Sequence, residues 1–362
     1  MLTIRRSAAT AAAVLALAVS DATGGVTASA SPAPALAPAK APTPAAIAVP
    51  TGDTNPIHDP DLVKDGHTWY VFSTGLINRE QGGTIRITVS HDQGRTWHAA
   101  GTVWSHIPAW IDRHYAGRTL PDNLWAPQVT HHGGRWYLYY SASTFGSNDS
   151  ITALATNTTL DPKDPDYRWV DRGRVITSAP ATRLSGTTDL EVNAIDPGVV
   201  TDRSGRSWLT FGSFWNGVYT VPISWPSGKP AKNWQRHAVQ LAERPAVQYD
   251  PVEGAYVVRH GGWFYLFTSI DFCCQGANST YKIAVSRARE VTGPYRDRSG
   301  ALALTGGGDV LLATNGSQVG AGGQSVAGNV LAYHYYDADH DYAPTLGLKR
   351  IHWVGGWPTV TT

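Results

Sequence analysis

The chain has 362 residues and a nearly even charge balance, 29 Lys+Arg against 28 Asp+Glu. Nucleic-acid binders and polybasic membrane surfaces both concentrate Lys and Arg, so composition excludes those two classes of partner. The 37 Gly, 14 Trp and 16 Tyr, spread over short runs bounded by turn residues, predict an all-β protein.

Residues 1–30 read as an export signal: Arg5 and Arg6 open it, an apolar run from Ala11 to Val19 follows, and Ala28-Ser29-Ala30 supplies a small-residue cleavage pattern. The apolar run is too short to span a bilayer as a helix, and the paired arginines leave a twin-arginine route open. Residues 31–50 are rich in Ala and Pro and nearly uncharged, as a linker is. The expectation is a secreted protein whose folded domain occupies 51–362.

Past the linker an internal repeat organises the chain. Four segments share one plan: "HDPDLVKDGHTWYVFSTG" from His58, "WAPQVTHHGGRWYLYYSAS" from Trp125, "IDPGVVTDRSGRSWLTFGSF" from Ile195 and "VEGAYVVRHGGWFYLFTS" from Val252. Each reads as two strands around a tight turn, with Gly66, Gly133, Gly205 or Gly261 supplying the positive φ that such turns need. A fifth unit is expected from Asn329 to the end, in "NVLAYHYYDAD" and "LGLKRIHW". Residues just after the linker are expected to add a strand at the far end of the ring. Units of about 40 to 70 residues suit four-stranded blades, and five of them predict a five-bladed β-propeller. A β-sandwich or jelly roll would explain the strands but not the repeat.

The acids fall on this repeat. Asp59 lies ten positions before Trp69, Ala126 ten before Trp136 and Glu253 ten before Trp263. Asp196 lies twelve before Trp208, where the turn around Ser204-Gly205 is longer. The count predicts one equivalent position for Asp59, Ala126, Asp196 and Glu253. At the start of each innermost strand, that position would ring the mouth of the central channel and bring three carboxylates together. Glycosidic cleavage needs one carboxylic acid to protonate the leaving oxygen and a second carboxylate to activate water or attack the sugar. A third carboxylate raises the acid's pKa by repulsion. Asp-Pro turns, which recur at Asp161, Asp164 and Asp250, are the structural alternative for any one of them, and a calcium site is another use of clustered acids. Cys273 and Cys274 are adjacent. A bridge between neighbours closes almost no loop and contributes little through chain entropy; two thiols in a tight turn are the alternative.

At "IHDPDLV", "LWAPQV", "NAIDPGVV", "DPVEGAYVV" and "LAYHYYDADHDYAPTLGLKRIHWVGGWP", the sequence resembles glycoside hydrolase family 43, in particular its arabinan endo-1,5-α-L-arabinosidases. The resemblance covers about residues 53–362 and implies a five-bladed propeller that hydrolyses arabinan or arabino-oligosaccharides with inversion, acting as a monomer. It implies that Asp59 is the general base, Glu253 the general acid, and Asp196 the residue that orients that acid and raises its pKa. It places Trp125, Asn193, Ser213 and Phe145 at the sugar subsite. The chemistry needs no cofactor, but relatives hold a calcium ion in the channel with a His of a "GPGH" segment. Here the segment reads "GAGGQSV", so Gln324 takes that place, and His334 is a further candidate. Two alternatives stand beside endo action: an exo-acting arabinofuranosidase or β-xylosidase on the same fold, and a non-catalytic sugar-binding propeller.

Overall fold

The computed structural model describes residues 47–178 and 191–360. The expected export signal and most of the expected linker lie outside them. Each repeat unit forms a sheet of four consecutive antiparallel strands. Blade one is Asp61–Asp65, Thr68–Ser73, Arg86–Ser90 and Thr96–Thr102. Blade two is Leu124–His132, Arg135–Ala142, Ser150–Asn157 and Val170–Ser178. Blade three is Gly198–Thr201, Ser207–Phe211, Val218–Ile223 and Val239–Ala242. Blade four is Val252–His260, Trp263–Ile270, Lys282–Ala288 and Asp309–Leu312. Blade five is Gln318–Ala327, Val330–Asp337, Ala343–Val354 and Trp357–Val360. The five blades make a five-bladed β-propeller, each blade's first strand lining the axis. A short helix, Ala109–His114, sits in the insert after Trp104.

Two expectations need correction. Blade five begins at Gln318, eleven residues before Asn329, because its axial strand "QVGAGGQSVA" is too rich in Gly and polar residues to show strand alternation. The strand after the linker, Thr51–Gly52, joins the outer edge of blade one, in parallel with Thr96–Thr102, rather than the last blade. The ring is closed by the segment that follows it. Ile57 N–H donates to Pro344 O at 2.7 Å and Leu346 N–H to Thr54 O at 2.9 Å.

The aromatic second strands explain why the blades stack. Successive strand residues face opposite sides of a sheet, and here both sides are covered by a neighbouring blade. Phe264 and Leu266 pack with Val200 and Trp208 of blade three, while Tyr265 and Phe267 between them pack with Leu331 and Tyr333 of blade five. Leu138 and Tyr140 likewise meet blade one, and Tyr137 and Tyr139 meet blade three. Leu62, Val71, Val330 and Leu346 fill the seam between blades five and one. Each fully buried side chain of this size contributes about 1.5–3 kcal/mol, so five inter-blade cores replace a single central one and leave the axis open.

Candidate active site

At one equivalent position on or just before each axial strand, the backbone turns left-handed. The residues there are Asp59 (φ 50°), Ala126 (42°), Asp196 (56°), Gly254 (60°) and Gly323 (55°). For a residue with a Cβ this conformation costs about 1–2 kcal/mol, and three of the five positions bear it, a pattern that marks functional sites. Four of the five amides are received by the second strand of the preceding blade or the residue just after it. Asp59 N–H donates to His334 Nδ1 (3.1 Å), Ala126 N–H to Thr74 Oγ1 (2.9 Å), Asp196 N–H to Ser141 Oγ (3.2 Å) and Gly323 N–H to Ser269 Oγ (2.9 Å). The fifth amide, of Gly254, instead donates to Asp196 Oδ2 at 3.0 Å.

This ring corrects the expected register by one residue. Asp59, Ala126 and Asp196 are equivalent, but Gly254 is the fourth member and Glu253 precedes it, in the position of His58, Trp125 and Ile195. Counting back from the Trp misled because Trp263 follows its turn directly, pairing with His260, whereas Trp69 and Trp136 come one residue later, after Thr68 and Arg135. The three acids nonetheless share the channel mouth: Asp196 is bonded to the residue after Glu253, and the cavity on the axis is lined by Asp59, Asp196, Gly254, Tyr281 and Gln324.

Asp59 sits in a cradle of donors. His58 Nδ1–H donates to its Oδ2 at 2.8 Å and Thr74 Oγ1–H to the same oxygen at 2.7 Å. His334 Nδ1 lies 3.7 Å from Oδ1. Burial pushes this carboxyl up, but the charge and hydrogen bond of His58, with His334 and Thr74, outweigh it and bring the pKa down to about 2. Oδ1 lies over a bare backbone, for a Cβ on Gly323 would stand 2.5 Å from it.

Glu253 is buried. Ser213 Oγ–H donates to its Oε2 at 2.5 Å and the Tyr281 hydroxyl to Oε1 at 2.6 Å. Burial raises its pKa, Ser213 and Tyr281 oppose the rise, and Asp59 adds to it. Asp196 is raised well above the usual carboxylate range, first by burial and then by Glu253 and Asp59, against the Gly254 amide. Both carboxyls are thus raised above their ordinary range, and each feels the charges around it. Neighbouring Gly322 is needed for this arrangement, because a Cβ there would fall 2.0 Å from the Tyr281 ring.

The other expected residues fall in different places. Trp125 is half-buried at the channel mouth, its indole N–H on Asn123 Oδ1 at 2.6 Å. Ser213 is the partner of Glu253. Asn193 is buried between blades, accepting from Ser150 Oγ at 2.6 Å, and Phe145 is 82% exposed. Gln324 accepts from Ser269 Oγ at 2.8 Å and donates to Gly254 O at 2.6 Å. Both ends of its amide thus clamp blades four and five, and Gln324 lines the axial cavity. His58, Asp59 and His334 are as close as metal ligands are, but both ring nitrogens of His58 are committed, to Asp59 and to Tyr336 Oη (2.9 Å). Counting residues did not find Thr74, Tyr281 or Tyr336, which carry no motif of their own.

A propeller whose axial mouth gathers one carboxyl of lowered pKa and two of raised pKa has the kind of opposed groups that glycosidic hydrolysis uses. The protein is a glycoside hydrolase. Residues 53–358 match the family model described as Glycosyl hydrolases family 43, and the chain belongs to that family. It is 36% identical over 316 residues to the extracellular exo-alpha-(1->5)-L-arabinofuranosidase ArbA of Cellvibrio japonicus, covering 84% of this chain and 86% of that protein. It is also 36% identical over 304 residues to the extracellular endo-alpha-(1->5)-L-arabinanase 1 of Bacillus subtilis, covering 84% and 87%. Among solved structures, a GH43 endo-arabinanase from Bacillus licheniformis superposes with a TM-score of 0.76 at 37% identity, covering 86% of this chain and all of that one.

Proposed function

We propose that the protein is exported and hydrolyses α-1,5-linked arabinan from within the chain, with inversion at the anomeric carbon. Asp59 takes a proton from the attacking water through Oδ1. Glu253 delivers the proton of the Asp196–Glu253 pair to the departing glycosidic oxygen, and Asp196 holds the Glu253–Gly254 peptide while resisting early loss of that proton. Trp125 shapes the sugar subsite. No step is routed through a metal. The observation that carries this reading is the separation of the acids' proton affinities, Asp59 down to about 2 and the Asp196–Glu253 pair raised. Export is supported by the leader-like start of the sequence and by two relatives named as extracellular.

The test is product analysis on linear, debranched arabinan, wild type beside Glu253→Ala. A ladder of short oligosaccharides from wild type, lost in the variant, is expected. Equal identity to an exo- and an endo-acting relative supports a second reading, exo action, which arabinose alone from the first time point would select. No product from arabinan would remove both.

A further inference from the structure

We propose that the vicinal Cys273–Cys274 turn positions the Asp59 carboxylate through Tyr336 and His58, so that these residues are positioning residues of the reaction although none touches the reacting atoms. The proposal rests on the reading of Asp59 as the base. The two cysteines form a disulfide, and a chain of hydrogen-bond contacts leads from it to Asp59. A backbone amide can only donate, and Cys274 N–H donates to Tyr336 Oη at 2.8 Å. That occupies one lone pair of the phenol, whose oxygen lies 2.9 Å from His58 Nε2. The Asp59 carboxylate can only accept, so His58 carries a proton on Nδ1 and donates it to Oδ2 at 2.8 Å. The contacts run unbroken from the loop to the carboxylate. They settle on Oδ2, beside the Thr74 hydroxyl, and leave Oδ1 for the water. A His ring can otherwise present either nitrogen, and the second hydrogen bond decides which.

The packing holds the His58 ring in place. The His58 ring stacks on buried His334, centroids 3.7 Å apart, and Cys274 Sγ lies 3.8 Å from Nε2. Cys274 itself is exposed and left-handed, φ 67°, a conformation its surroundings do not impose by burial. The covalent link to Cys273 holds the turn that aims its amide. Asp59 also faces His334, Asp196 and Glu253, none of which the relay alters.

Tyr336→Phe removes one oxygen and keeps the ring. We expect kcat on an arabino-oligosaccharide to fall roughly ten- to hundredfold, the size of one hydrogen bond to a charged group, with KM little changed. The acid limb of kcat/KM moves to higher pH, because a donor that holds Asp59 ionised is no longer fixed. Reducing wild type with dithiothreitol transfers two electrons and two protons to the S–S bond, giving two thiols and the oxidised dithiol. It should move kcat and the limb in the same directions, reversibly, and should add nothing in Tyr336→Phe, as coupled groups behave. Independently of activity, ¹⁵N shifts of His58 should report Nδ1–H in wild type and a loss of that preference in the variant. A variant with unchanged kcat, unchanged acid limb and unchanged His58 tautomer overturns the relay, as does additivity of mutation and reduction. Asp59→Asn separates the two layers: full turnover in that variant removes the base assignment itself, whereas a silent Tyr336→Phe beside a dead Asp59→Asn removes only the relay.

Discussion

On the side of blades five and one, Asp59 is half-buried; His58 and Thr74 donate to its carboxylate, and its own amide donates to His334. On the side of blades three and four, Asp196 and Glu253 meet a backbone amide, a serine hydroxyl and a phenol, and repel one another. The same functional group is therefore shifted in opposite directions on the two flanks of one channel, and the difference comes from the neighbours. The charge and hydrogen bond of His58 lower one carboxyl, while burial and like charge raise the other two. A bell-shaped profile of kcat/KM follows. Activity is lost as pH falls through the low pKa of Asp59, near 2, and as pH rises through the raised pKa of the pair.

The comparison breaks hardest at Gly323. Alanine there places a Cβ 2.5 Å from Asp59 Oδ1 and 2.7 Å from His334 Nδ1, at φ 55°. A base displaced by about 1 Å costs on the order of 100-fold in kcat, and steady-state kinetics with a melting curve should show that loss beside a lowered Tm. An unaltered kcat would mean that Asp59 does not act from this position.

Tyr281→Phe probes the other flank. It removes a donor that stabilises the Glu253 carboxylate, so the alkaline limb should move to higher pH while kcat/KM falls roughly tenfold. A shift to lower pH contradicts the assignment of that limb to the pair.

How far these flanks were legible in the sequence follows from what a repeat can display. The blades were visible because strands covered on both faces are apolar throughout, as "WYLYYSA" and "WFYLFTS" are. The axial strand of blade five was not, since its job is to make room: Gly322 and Gly323 clear space for Tyr281 and Asp59, and glycine carries no alternation. The three acids stood out as carboxylates at repeat starts, but the register of Glu253 slipped by one because its Trp follows the turn directly. The groups that shift the carboxyls come from strand ends and loops far apart in sequence, and only the closed ring brings Thr74 and His334 to one aspartate.

The smallest effect is expected from chelation. With the Gln324 amide committed at both ends, dialysis against EDTA should leave kcat where it was. A loss restored by Ca²⁺ would add a metal to the account.

The most direct test of opposed roles is Glu253→Gln assayed on two substrates. On an arabino-oligosaccharide, whose leaving oxygen needs a proton, kcat should fall by about 10²- to 10⁴-fold. On an aryl arabinotrioside whose phenol departs unprotonated, most of the rate should remain. An equal loss on both substrates would contradict Glu253 as the acid, and with it the division of labour between the two flanks.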